Sequence, residues 1–269
     1  MTHRWHVPPP MRRAVLGLYT YFEFFLTAVL FVLPMGLAAL VHGKKDPGMR
    51  LRGRWMRRFG RATKALTPIW LFIVEGEKPA GIDKESFVVV ANHQSTADPF
   101  LLSQLPWDMR WISKESLFKL PLIGWLMQFG GDIPLRRGER DSVEQMFAEC
   151  RKTLNAGVSV MIFPEGTRSP DGKIQAFKDG AFHLAIETQK PIVPLAVYGT
   201  HACRPKGSLW FGEAKAVVKI LETVPTAGLT QDDLPKLKEL VRQKIAAAVA
   251  ELETRGLGAP EEAKAAVSA

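Results

Sequence analysis

Between Ala14 and Val41 the chain runs for 28 residues with one charged side chain, Glu23. From Phe24 to Val41 there are 18 consecutive residues without a charge, the lower limit for crossing a hydrocarbon core. Pro34 lies inside this stretch, where it would kink or break a helix. Basic residues flank both sides, Arg12 and Arg13 before and Lys44 and Lys45 after. A single span shows charge asymmetry across its two ends. The symmetry here favours a helical hairpin that dips into one leaflet and returns, with a single span as the other membrane arrangement. A signal peptide has a shorter apolar region, about 7–15 residues. A buried core helix is the bland reading, and membrane insertion is the expectation.

The next segment, RLRGRWMRRFGRATKAL over residues 50–66, sets Arg and Lys among Leu51, Trp55, Met56 and Phe59. Such a helix suits anionic headgroups; the alternative is a solvated basic face. The net charge of +9 points to anionic partners generally. A lipid-length apolar run beside the basic patch favours a membrane surface over nucleic acid. Cys150 and Cys203 form neither a CxxC nor a zinc-like spacing. No structural metal or disulfide framework is expected, and a reducing, cytosol-facing compartment is the default.

From residue 69 on, short apolar runs alternate with helical patterns. IWLFIVEG, SFVVVANH, MRWISK, VSVMIFPEG, PIVPLAVYG and AKAVVKILETV read as strands. PFLLSQL, SVEQMFAECRKTLNAG and KDGAFHLAIETQ read as helices, with Gly157 as a C-terminal cap. Thr230 and Asp233 fit a capping box for a closing helix from Leu234. This alternation predicts an α/β fold with a mostly parallel central sheet flanked by helices, preceded by the N-terminal membrane-associated hairpin. In such sheets sites form at the carboxyl ends of strands.

Three polar clusters stand at those ends. The first is Asn92-His93-Gln94-Ser95-Thr96-Ala97-Asp98. Pro99 fits the first turn of a helix, which puts Asp98 at the N-cap, its bland role. A turn followed by a helix start can also fold Asp98 back onto one nitrogen of His93, leaving the other as a general base. The second cluster is Phe163-Pro164-Glu165-Gly166-Thr167-Arg168-Ser169, in which Gly166 permits a sharp turn and Arg168 can fork onto a phosphate. Its bland reading is a surface turn with a local ion pair; Lys173 and Lys178 add charge downstream. The third is the run Gly130 to Gly138, where Arg136 and Arg137 end a short apolar strand near Lys114. If these strand ends share one face, Lys114, Arg137 and Arg168 surround an anion beside His93. There is no GxSxG elbow and neither cysteine adjoins a base, so a covalent acyl-enzyme is not suggested.

Together the clusters resemble the four motifs of the glycerolipid acyltransferases, typified by bacterial 1-acyl-sn-glycerol-3-phosphate acyltransferase. N-H-Q-S-T-A-D matches the His-x4-Asp motif, G-D-I-P-L-R-R the second, F-P-E-G-T-R-S the third and P-I-V-P-L-A-V the fourth. Order and spacing agree over roughly residues 70–200. The resemblance implies His93 as base and Asp98 as its orienting partner. It implies Glu165, Gly166, Thr167 and Arg168 on the glycerol phosphate, with Arg137 and Lys114 on the phosphate itself. Arg136 stands where the family usually has Asp, which bears on the acceptor headgroup.

The implied division is a membrane-associated part over 1–66, an α/β acyltransferase domain over 67–255 and a flexible tail over 256–269. The implied reaction moves an acyl group from acyl-CoA or an acyl carrier protein to a lysophospholipid, with no cofactor or metal. It would take place at a bacterial-type inner membrane with the catalytic domain facing the cytoplasm. The competing expectations are a different lyso-lipid acceptor, a thioester hydrolase, or a non-enzymatic membrane lipid-binding protein.

Overall fold

The computed structural model describes residues 9–42, 46 and 50–258. The side chains of Arg12 and Arg13, the flanking Lys44 and Lys45, and the tail from 259 on lie outside what is described. The chain opens with α1 (Pro9–His42) and α2 (Arg50–Leu66), then β1 (Trp70–Glu75), β2 (Val88–Ala91), α3 (Asp98–Leu102) and β3 (Met109–Lys114). Next come α4 (Glu115–Phe118), α5 (Ile123–Gly130), β4 (Ile133–Leu135), α6 (Arg140–Asn155), β5 (Ser159–Ile162) and α7 (Gly180–Thr188). It closes with β6 (Ile192–Tyr198), α8 (Thr200–Cys203), β7 (Ala214–Ile220) and α9 (Leu234–Glu253).

The strands form one sheet in the order β1-β7-β6-β2-β5-β3-β4. All neighbours pair in parallel except β6 with β7. The run VVVA of β2 shows why a continuous apolar stretch makes a central strand. Successive side chains alternate between faces, and both faces are covered. Val88 and Val90 join the core under α6, α7 and α9. Val89 and Ala91 join the opposite core, built with Leu101, Leu102 and Trp107. Four strands parallel to one another, β2, β5, β3 and β4, together with β6 beside β2, end at the same rim, the face on which the polar clusters were expected.

The capping box is present. The Thr230 amide donates to Asp233 Oδ2 at 2.9 Å, one turn of 3-10 helix ahead of α9. Gly157, at φ +76°, carries the chain out of α6. The short helices α4 and α5 were not anticipated.

The N-terminal pair differs from the expected hairpin. No turn occurs at Pro34: α1 continues through it unbroken to His42. An interior proline costs a helix roughly 3 kcal/mol, and packing here offsets it. Met35 and Ala28 are buried with Phe59 and Leu126, and the Phe129 ring lies against Gly36. The return stroke is made by α2. Phe24 meets Phe59 and Phe31 meets Trp55, so α2 runs antiparallel to α1. The one charge of the apolar run also finds its reason. Glu23 is buried on the inner side of α1, where Oε1 accepts the Thr67 hydroxyl at 2.6 Å. The outer side is a stripe of exposed apolar residues at helical spacing, Leu18, Phe22, Phe25, Leu30, Leu33, Leu37 and Leu40. Among the described residues α1 alone is long and apolar enough to cross a membrane.

Part of the basic row on α2 faces the domain rather than solvent. Arg61 donates from Nε to Ser103 O at 3.0 Å and from Nη2 to Gln104 O at 2.9 Å. Arg57 donates to Leu105 O at 3.1 Å and pairs with Asp108 at 3.2 Å. These carbonyls lie just past the end of α3, where a helix terminus leaves acceptors unfilled. The arginines thus fasten the N-terminal helix pair to the helix that begins with Asp98.

Candidate active site

The strand β2 ends at Ala91, and Asn92 locks the turn beyond it. The Asn92 side-chain amide accepts the Val197 N–H and donates to Val197 O, both at 2.8 Å, joining the turn to β6. His93 comes next, and its ring Nδ1 lies 2.6 Å from Asp98 Oδ2. Asp98 does not cap α3. It occupies the first helical position behind Ala97, and its carboxylate reaches backwards. Oδ2 also accepts the amides of Gln94 at 2.8 Å and Ser95 at 3.0 Å, while Oδ1 accepts the Thr200 hydroxyl. Donors converge on a carboxylate from every side, and an ionised carboxylate only accepts. The hydrogen of the imidazole therefore sits on Nδ1, and the lone pair sits on Nε2.

The ring is held a second way, stacked on Phe163 with centroids 3.9 Å apart and planes at 14°. The Asp98 side chain is fully buried while that of His93 is 16% exposed, so the ring edge is reachable from outside. Nε2 has no hydrogen-bond partner among the described residues.

The motif after β5 braces this arrangement. Gly166 adopts φ +70°, turning the chain so that Glu165 points inward. Glu165 Oε1 accepts the His93 amide at 2.8 Å and Oε2 accepts the Gln175 amide at 3.2 Å. Both oxygens are taken by backbone, so Glu165 steadies His93 instead of offering an open carboxylate to a ligand. Burial pushes its carboxyl up to about 7; the His93 and Gln175 amides and the His93 ring pull back, and the Asp98 charge adds to the rise. A carboxyl raised from 4.5 to about 7 on folding binds more protons in the native state. Its contribution to stability is full below 4.5 and is lost as pH rises through about 7. His93 O in turn accepts the Ser169 amide at 2.8 Å, closing the loop between the two motifs.

Arg168, three residues past Glu165 in the same turn, lies within electrostatic reach of Asp98, Arg204 and Arg137. Arg168 is partly buried; burial first, then repulsion from Arg204 and Arg137, draws it below its ordinary range, while the Asp98 charge acts the other way. A histidine–carboxylate pair with a free Nε2 and adjacent unneutralised cations can take a proton from a neutral group beside a bound anion.

Comparisons with known proteins point to one family. The family model described as Acyltransferase matches residues 72–198. The chain is 32% identical over 206 residues to a chloroplastic 1-acyl-sn-glycerol-3-phosphate acyltransferase of Brassica napus, covering 72% of this chain and 60% of that protein. It is 35% identical over 178 residues to the alpha 1-acyl-sn-glycerol-3-phosphate acyltransferase of Homo sapiens, covering 65% and 62%. The crystal structure of the 1-acyl-sn-glycerophosphate acyltransferase PlsC from Thermotoga maritima superposes with a TM-score of 0.76 at 29% identity, over 91% of this chain and 97% of that one. Residues 72–198 belong to the acyltransferase family. The chain spans about three fifths of the length of the two curated relatives described.

Within this acyltransferase fold the anticipated residues divide. His93, Asp98, Glu165, Gly166 and Arg168 converge. Thr167 lies in the same turn and makes no hydrogen bond through its side chain among the described residues. Arg137 acts on Arg168 electrostatically and is exposed. Lys114 is exposed at the end of β3, in register with Leu135, and no contact ties it to the dyad. Arg136, which departs from the family pattern, is taken up by acids, with Glu115 at 3.2 Å and Glu139 at 2.8 Å. Its charge is neutralised beside the site, so it adds no pull on an anion within it. Lys178 folds over Gly166, its ammonium near where a β-carbon would stand.

Two residues were missed. Thr200 stands just beyond the carboxyl end of β6 and holds Asp98; the strand-end rule alone would have singled it out. Arg204 lies in the irregular segment after α8, where no periodicity marks it. Gly199 makes Thr200 possible. It sits at φ +93°, and a β-carbon there would overlap Lys215 O. We expect Gly199→Ala to cost at least about 1–3 kcal/mol in backbone strain. Urea unfolding would read that loss, and acyltransferase activity should fall with it as Thr200 is displaced.

Proposed function

We propose that the protein transfers an acyl group from a thioester, acyl-CoA or acyl carrier protein, to the free hydroxyl of a lysophospholipid at a membrane surface. The acceptor is 1-acyl-sn-glycerol 3-phosphate and the product phosphatidic acid. The observation that carries this reading is His93 Nδ1 fixed on buried Asp98 at 2.6 Å with Nε2 open, and Arg168 within electrostatic reach of Asp98. In this reading Nε2 takes the acceptor's hydroxyl proton as the oxygen attacks the thioester carbonyl. The tetrahedral intermediate collapses, the C–S bond breaks, and the imidazolium returns the proton to the leaving thiolate. Asp98 stabilises the imidazolium between the two transfers. Arg168 and Arg137 hold the phosphate and turn a loose encounter into an oriented one. The exposed apolar stripe of α1 supports a membrane location, with the sheet domain on the cytoplasmic side. The curated relatives are named for the same acceptor.

The test is a panel of lyso-lipids offered with one acyl-CoA, with products identified by mass. We expect the phosphate-bearing acceptor to dominate. Arg168→Gln should raise its KM by about 10–100-fold, the worth of hydrogen bonds to a charged group. A strong preference for an acceptor lacking phosphate would overturn the acceptor assignment. Free fatty acid released at one rate with and without acceptor would overturn acyl transfer itself.

A further inference from the structure

The segment after β6 carries a feature that none of the four motifs includes. Thr200 is tied to Asp98 by its hydroxyl, and four residues later the Arg204 carbonyl accepts the Ser95 hydroxyl at 3.0 Å. Ser95 is the residue whose amide Asp98 accepts, so the backbone at Arg204 is fastened to the dyad's own turn. The side chain is equally set. Its Nε donates to Ser208 O at 3.0 Å and its Cζ lies 4.9 Å from the centroid of Phe211. Phe211 is itself wedged against Trp70 and Tyr21, at 5.7 and 5.2 Å. One edge of the guanidinium is thereby anchored. The two terminal nitrogens carry no hydrogen bond among the described residues, which leaves the fork free to receive a planar pair of oxygens.

The surrounding charge is unbalanced. Most arginines outside the site have an acid, as Arg136, Arg140, Arg151, Arg242 and Arg255 do. Among the described residues Arg137, Arg168 and Arg204 have none. Lys206 adds a fourth cation, donating to Arg168 O at 3.3 Å. Like charges gathered beside a buried carboxylate dyad, with no counter-ion of their own, form a place prepared for an anion with several oxygens.

We propose that Arg204 is a third guanidinium on the acceptor's phosphate, gripping it from the loop 204–213 while Arg168 and Arg137 hold it from the sheet rim. The proposal rests on the acceptor reading above. The same chemistry would bind the phosphates of coenzyme A, so the experiment separates the two sources.

Full-length wild type, Arg204→Gln, Arg204→Lys and Arg168→Gln are assayed in mixed micelles, varying 1-acyl-sn-glycerol 3-phosphate and acyl-CoA in turn, with thermal unfolding of each. Arg204→Gln should raise the acceptor KM by about 10–100-fold. The acyl-CoA KM, and kcat at saturating acceptor, should stay within about twofold, a change too small to count as a lost charged hydrogen bond. Arg204→Lys keeps the charge but loses the fork and the stacking on Phe211, so its acceptor KM should lie between the two. With monoacylglycerol as acceptor, kcat/KM should be the same for wild type and Arg204→Gln. An acceptor KM that moves in Arg168→Gln but not in either Arg204 variant overturns this proposal alone. A rise confined to the acyl-CoA KM does the same. A wild type indifferent to the acceptor's phosphate overturns the acceptor reading and this one with it.

Discussion

Replacing His93 by Ala is expected to lower kcat by at least about 10²–10⁴-fold, the range for loss of a general base. Membrane binding and the unfolding temperature should be kept. The ring contributes little to the core. It is partly exposed, it stacks on Phe163 at the rim, and its one side-chain hydrogen bond is to Asp98. The Asp98 carboxylate keeps the Gln94 and Ser95 amides and the Thr200 hydroxyl in the variant, so it is not left without partners. The apolar stripe on α1 is untouched. The measurement is thiol release from acyl-CoA with acceptor present, beside vesicle flotation and a melting curve. Near-normal turnover in a folded His93→Ala protein would remove the mechanism, whatever the acceptor.

Asp98→Asn is expected to be nearly as damaging to turnover, and unlike His93→Ala it should also destabilise the protein. The carboxylate is buried and takes donors on both oxygens. An amide can offer only one acceptor oxygen. If its nitrogen takes the Oδ2 position, it confronts two amides and the ring; if it takes the Oδ1 position, the Thr200 hydroxyl must accept from it and turn its own hydrogen to the longer contact with Gln94 Oε1, at 3.4 Å. Each buried donor left unmatched costs about 1–3 kcal/mol. The variant can escape by letting the imidazole present its lone pair to the new amide, and then Nε2 carries the hydrogen and is no longer a base. Wrong-tautomer losses of this kind reach about 10⁴-fold in kcat. Turnover, urea unfolding and the histidine nitrogen shifts in the NMR spectrum would together check it. A variant with the wild-type tautomer and wild-type stability would show that the carboxylate does not orient the ring.

How much of this could be read before any fold was known depends on how local each feature is. Most strands declare themselves as largely apolar runs of four to seven residues, and Gly76, Asn92 and Gly199 close β1, β2 and β6. The box at Thr230 and Asp233 is a contact between residues three apart, so it is written in the chain directly. Asp98 was expected at the N-cap of α3, with the partnership to His93 as its other role; it stands one position further on, behind Ala97. A carboxylate at a helix start ordinarily serves the helix; this one turns back because the amides of Gln94 and Ser95, His93 and Thr200 offer more. Glu165 was expected to face a ligand and instead braces the His93 amide, a contact across 72 residues. Pro34 was expected to kink or break a helix, and packing against α2 and α5 outweighed its local cost.

Taken by itself, the chain's order of residues determined the α/β class, the membrane-length apolar run and the nearness of an imidazole to a carboxylate, because these depend on periodicity and on groups a few residues apart. Only the tertiary structure decided which side chains surround that pair. The order β1-β7-β6-β2-β5-β3-β4 brings the ends of β2, β5 and β6 to one rim. Thr200 reaches Asp98 and Arg204 reaches Ser95 across more than a hundred residues. No local pattern encodes such meetings; they arise from which strands pair, and that is settled by burying both faces of the sheet at once.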